Sequence, residues 1–158
     1  MTERTELRVI DRRDFVLGAS SAAAFVAFLS AGAGSAFAAK TWQEAMKTIV
    51  GDAKPAEGKV SVVLPEIAEN GNTVPFSVAV ESPMSDSDYV KKVHVFATGN
   101  PRPDVASFSF SPASGKAAVS SRMRLGKTQD VIAVAEMSNG KFYMAKRTVK
   151  VTIGGCGG

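Results

Sequence analysis

The sequence predicts an all-β protein, one antiparallel sandwich of about seven strands behind a short helix. Three observations carry this. Apolar and polar residues alternate along seven short segments between Val60 and Ile153, the period of strands with one packed face. Clusters of Gly, Pro, Asn and Ser separate those segments, and Asn139-Gly140 marks a tight hairpin between the last two. The 158 residues are 45% hydrophobic and 22% charged, enough for one ordinary core and too balanced for a disordered polyelectrolyte.

The first segment lies outside that core. From Phe15 to Ala39 there is no charged residue; the stretch follows Arg12 and Arg13 and ends in Ala36-Phe37-Ala38, a small-x-small pattern suited to signal peptidase. The arginine pair, followed by Asp14, Phe15, Val16 and Leu17, and a core rich in Ala, Ser and Gly resemble a twin-arginine export signal. Residues 1–38 are therefore expected to direct export to the periplasm and to be cleaved after Ala38. The competing reading is an uncleaved membrane anchor, against which the many small residues count.

After cleavage, Thr41 is placed to cap a helix through Val50, with Trp42, Ala45, Met46 and Ile49 at helical spacing before Gly51 and Pro55 end it. Strands are predicted at 60–64, 74–80, 90–97, 106–110, 116–124, 130–137 and 141–153. Val93, Val95 and Ala97 alternate with Lys92, His94 and Phe96, and Val149, Val151 and Ile153 with Lys150 and Thr152. The first set of each is expected inward and the second on a wetter face. Seven such strands in about a hundred residues make an immunoglobulin-like sandwich, spanning 39–153. A second β-domain is expected to pair with the sheet surface, because the long last strand of so short a sandwich leaves edges to be covered.

Composition removes many chemistries. One cysteine permits no internal disulfide, and one histidine excludes any metal site built on two imidazoles, blue copper included. No cofactor is expected. A net charge of +4 without a Lys/Arg run does not point to nucleic acid. His94 lies mid-strand and is read as a hydrogen-bonded or solvent-facing histidine rather than a ligand or base. Lys91, Lys92, Arg122, Arg124, Lys141, Lys146, Arg147 and Lys150 are read as solvating strand faces, though together they offer a positive field. Met84, Met123, Met137 and Met144 are read as core filling.

What remains is the end of the chain, Gly154-Gly155-Cys156-Gly157-Gly158, which holds the only thiol. Glycines have no side chain to pack and wide backbone freedom, so residues 154–158 are expected to form a flexible arm. Stretched out, five residues reach on the order of 16 Å, enough to carry a sulfur into another protein's cleft. No Lys, Arg or His neighbours Cys156, so nothing in the tail activates it below an ordinary thiol pKa of about 8.5. With no second cysteine for redox cycling, Cys156 is a handle to which a group is attached, with catalysis supplied by visiting enzymes. The alternative is an exported structural β-domain whose Cys156 forms an interchain disulfide. A terminal Gly-Gly thiocarboxylate is excluded by export, because its activation needs ATP. Prenylation is excluded because only two residues follow the cysteine.

These residues resemble the SoxY family, the sulfur-carrying subunits of bacterial Sox thiosulfate-oxidising systems. The resemblance rests on the terminal Gly-Gly-Cys-Gly-Gly, the twin-arginine-like leader and the stretch Leu64-Pro65-Glu66-Ile67-Ala68-Glu69-Asn70-Gly71-Asn72-Thr73-Val74-Pro75. It implies a non-enzymatic carrier that accepts thiosulfate oxidatively on Cys156 from a c-type cytochrome. A sulfate-releasing hydrolase and a sulfur dehydrogenase then process the adduct. It also implies a heterodimer with SoxZ, a second β-sandwich.

Overall fold

A computed structural model describes residues 40–155, within a chain that divides into two units after Ala38. The expectations about Arg12, Arg13, cleavage after Ala38, Cys156, Gly157 and Gly158 lie outside the described residues.

Helix α1 (Trp42–Val50) begins where a capping box is possible. The Thr41 hydroxyl accepts the Glu44 N–H at 3.3 Å, while the Glu44 carboxylate accepts the Thr41 N–H at 2.8 Å, satisfying two donors that the first helical turn leaves open. The Thr41 backbone bond, followed by its hydroxyl, holds the Glu44 carboxyl below the usual range. Gly51, at φ 60°, ends the helix by returning its N–H to the Lys47 carbonyl.

Nine strands follow among the described residues: β1 (Ala56–Glu57), β2 (Val60–Val63), β3 (Ile67–Asn70), β4 (Val74–Val80), β5 (Val90–Ala97), β6 (Asp104–Ser109), β7 (Ala117–Met123), β8 (Gln129–Met137) and β9 (Phe142–Ile153). One sheet runs β1-β9-β8-β5-β6, with β3 also on β9; the other is β2-β4-β7. All seven predicted segments are strands, and the all-β sandwich stands. The hairpin joining β8 and β9 turns at Gly140, whose φ of 77° suits glycine.

β1 and β3 were not predicted, because neither has a hydrophobic period of its own. Both are held by the outer edge of β9, in parallel register: Ala56 opposite Tyr143, and Ile67 opposite Lys150. The sheet is therefore mixed, and the edge of the last strand, expected to be open, is covered along two stretches by the protein itself.

Between the sheets lies a core that includes Val78, Val93, Val95, Leu125, Val131 and Val149, all no more than 2% exposed. Phe76 of β4 and Phe108 of β6 meet across it, ring centroids 6.4 Å apart and tilted at 52°. Met84, Met123 and Met137 are buried in this core.

The alternation expected along β5 and β9 needs two corrections. Phe96 is fully buried and His94 nearly so, because α1 covers the outer face of the large sheet. Trp42, Ala45, Met46, Ile49 and Val50 pack with Phe96, Ile132 and Val134 into a second core. Buried on both faces, β8 reads as a continuous apolar run from Val131 to Ala135. Ile153, expected inward, is 67% exposed: it closes β9, where the chain passes into Gly154 and Gly155.

Candidate functional site

The segment that leads to the thiol leaves the sandwich at the end of β9, beside two loops. One follows β3, which runs parallel to β9 and delivers Gly71 next to Ile153. The other follows β7 and is anchored by Leu125, whose side chain is completely buried.

Three backbone hydrogen bonds tie these segments together. Gly71 donates to the Ile153 carbonyl at 2.7 Å, Leu125 donates to the Gly71 carbonyl at 2.8 Å, and Gly155 donates to the Leu125 carbonyl at 3.0 Å. The bonds close a ring through β9, the 70–72 loop and the 125–126 loop. Gly71 and Gly155 are buried within it. Gly154 and Gly155, expected from sequence to begin a flexible arm, lie against neighbouring backbone at this point. Their lack of a Cβ serves close backbone packing as well as freedom.

The packing leaves no room for a side chain. A Cβ on Gly71 would collide with the Leu125 carbonyl oxygen and sit 2.7 Å from the Gly155 nitrogen. One on Gly154 would collide with the Gly126 carbonyl oxygen, and one on Gly155 would lie 2.7 Å from the Gly71 oxygen. These obstacles are backbone atoms, which cannot swing aside as a side chain can. Asn70-Gly71-Asn72 forms a turn, with the Asn72 N–H bonded to Asn70 Oδ1 at 2.9 Å. No residue of that triplet has positive φ, so close approach, not a left-handed backbone, is what requires glycine at 71.

The loop after β7 is braced by side chains. Asn100 donates to the Arg124 carbonyl at 2.8 Å and accepts from the Gly126 N–H at 3.1 Å and from Gln129 Nε2 at 2.8 Å. The buried Gln129 amide also accepts from the Gly99 N–H at 2.7 Å. On the opposite side, Val151 of β9 donates to Thr128 Oγ1 at 3.0 Å. Sequence reasoning missed Asn100, Leu125, Gly126 and Gln129. An Asn and a Gln far apart in the chain carry no pattern, and only the lone Leu125-Gly126 pair after β7 hinted at a constrained turn.

The other residues weighed from sequence are not brought together into a second centre. His94 Nδ1 shares a 2.8 Å hydrogen bond with Ser107 Oγ, and its Nε2 is buried with no hydrogen-bond partner. Burial pushes the imidazole pKa down, opposed by Asp104. Lys91 is paired with Glu136 at 2.7 Å and Lys146 with Asp130 at 3.5 Å. Among the described residues there is no cluster of three metal-ligating side chains and no helix long and apolar enough to cross a membrane.

Comparison with known proteins agrees with this geometry. A search among curated protein sequences returns no match. Among solved structures, the chain is similar to the sulfur carrier protein SoxY from Chlorobium limicola f. thiosulfatophilum, with 38% identity, a TM-score of 0.59, and coverage of 70% of this chain and 96% of that one. It is also similar in fold to a superoxide reductase (neelaredoxin) from Ignicoccus hospitalis, at 16% identity and a TM-score of 0.53, covering 60% of this chain and 80% of that one. That second likeness concerns the fold alone. The family model described as sulfur oxidation protein SoxY matches residues 46–156, from within α1 through the only cysteine of the chain. The chain belongs to the SoxY family.

Proposed function

We propose that this protein is a periplasmic carrier that holds thiosulfate-derived sulfur on Cys156 and presents it to the enzymes of a Sox cycle. The single observation that carries the reading is the position of the only thiol in the sequence, directly after Gly155, whose backbone is held in the three-bond ring of a SoxY-family chain. Loading is oxidative: the Cys156 thiolate and thiosulfate join through a new S–S bond, and two electrons pass to a c-type cytochrome. A hydrolase then uses water to release the terminal sulfonate as sulfate with two protons, leaving a persulfide for a sulfur dehydrogenase. The chain supplies the handle and its presentation; the visiting enzymes supply the catalysis.

Export follows from the leader, with Arg12 and Arg13 recognised by the twin-arginine pathway and cleavage after Ala38. That pathway moves folded proteins, and a SoxZ-like partner assembled in the cytoplasm gives this chain a reason to use it. Replacing Arg12 and Arg13 with Lys is expected to retain both subunits in the cell. A partner still reaching the periplasm would refute co-export.

Intact mass of protein from thiosulfate-grown cells tests the carrier reading. Sulfur-containing adducts on Cys156 are expected, whereas a dimer of doubled mass, collapsed by reductant, would favour the interchain disulfide. Cys156→Ser is expected to fold normally and to abolish thiosulfate-dependent electron transfer in the reconstituted system. Unchanged turnover would remove the carrier hypothesis.

A further inference from the structure

We infer that Gly71, together with the Leu125–Gly126 loop, positions the carrier thiol by clamping the root of the C-terminal arm at Gly155. The inference rests on the carrier reading and adds to it a division of labour among the four terminal glycines. Gly154 and Gly155 serve the body, where they pass between backbones that admit no Cβ. Gly157 and Gly158 serve access, as the segment a partner's channel closes around.

Several independent features converge on this root. The three-bond ring is closed entirely by backbone atoms, so it depends on close approach rather than on any side chain. Leu125, wholly buried, fixes one jaw to the core, while Asn100 and Gln129 brace it from the opposite side. β3 exists only through its pairing with β9, and what it delivers is Gly71, at the point where β9 ends. A tether needing only freedom would require none of these.

The mechanical consequence is a short reach. Counted from Ile153, the tail spans on the order of 16 Å, but counted from Gly155 the thiol-bearing residue is a single step of about 3.5 Å away. The arm thereby starts from a fixed point on the body at Gly155, and a partner meets it there. Ordering Gly154 and Gly155 beforehand removes that loss from each encounter, so unclamping is expected to act on recognition of the carrier more than on chemistry at the sulfur.

The test uses the mature chain with its SoxZ-like partner, comparing wild type with Gly71→Ala. Gly154→Ala, whose Cβ meets the Gly126 backbone, is the second variant should the first misfold. Amide hydrogen exchange should show Gly155 protected in the wild type and at least tenfold faster in the variants, with Val131 and Val149 unchanged as reporters of the intact core. With the carrier as the varied substrate of a thiosulfate-oxidising c-type cytochrome, KM should rise about tenfold while kcat stays within twofold. An unprotected Gly155 amide in the wild type would overturn the clamp, as would an unchanged KM in a variant that has lost that protection. Failure of the carrier reading looks different: Cys156→Ser would keep its turnover while the Gly155 exchange result stood.

Discussion

His94 shows how burial, rather than residue type, settles what a titratable group does. It sits on β5 between two valines, 7% exposed, with one ring nitrogen on Ser107 and the other enclosed without a partner. A charged imidazole there would lose its hydration, and the pKa is lowered for that reason; Lys92 adds to the lowering, while Asp104 and Glu136 oppose it. The unfolded chain, with a pKa of about 6.5, therefore binds the proton more readily than the folded one. Stability is full above that value and is lost as pH falls from it toward the lower folded pKa. Urea unfolding at pH 7.5 and 5.5 should show the wild-type midpoint dropping on acidification, and His94→Gln should lose much of that drop. Equal drops in both proteins would assign the acid sensitivity to other groups. At this scale the sequence reading of His94 as a hydrogen-bonded strand histidine was sound, but its wet face was not.

The element that changed that face is α1. From sequence it is a short amphipathic helix capped by Thr41, and it forms as predicted, with a capping box that the sequence reading did not name. Its destination was not legible, because an apolar stripe says that something must be covered and not what. It covers Phe96, Ile132 and Val134, which explains why β5 and β8 depart from simple alternation. Trp42→Ala, which removes a half-buried indole from this layer, should lower stability by about 2 kcal/mol. Thr41→Ala, which removes only the cap, should cost about 1 kcal/mol. Denaturant titrations of the two variants give the comparison, and a Trp42 effect no larger than the cap effect would mean the helix is held loosely. β1 and β3 teach the converse: with two and four residues and no period, they exist through the edge of β9.

At the scale of the whole molecule, β1 and β3 cover the edge of β9, so the pairing expected through the sheet surface is sought on a face. Among the described residues, the large sheet carries α1, whereas Ser61, Ala79, Ala118 and Ser120 on the outer face of β2-β4-β7 are exposed. Register places Ser61, Ala79 and Ala118 in one row and Val63, Ser77 and Ser120 in the next, with Arg122 beside Pro75. Small uncharged side chains across three strands are unusual for a face left to water, which normally carries charge. They suit a second sheet laid against them. Sedimentation of the co-expressed pair is expected to show a stable heterodimer with the SoxZ-like β-domain, weakened tenfold or more by Ala79→Lys with little change in thermal stability. An unchanged complex would place the partner on another surface.

The amino-acid order alone determined the seven main strands, the capped helix, the Asn-Gly hairpin and the presence of a single thiol. Each of these depends on neighbours close in sequence: an alternation, a cap three residues from its partner, a turn dipeptide, a count of one. Only the tertiary structure decided that Phe96 is core, that β3 extends β9, and that Gly71, Leu125 and Gly155 meet in one ring. Those facts are distances between segments tens of residues apart. A glycine kept for closeness reads in sequence the same as one kept for freedom, and which of the two it is depends on the backbone that arrives beside it.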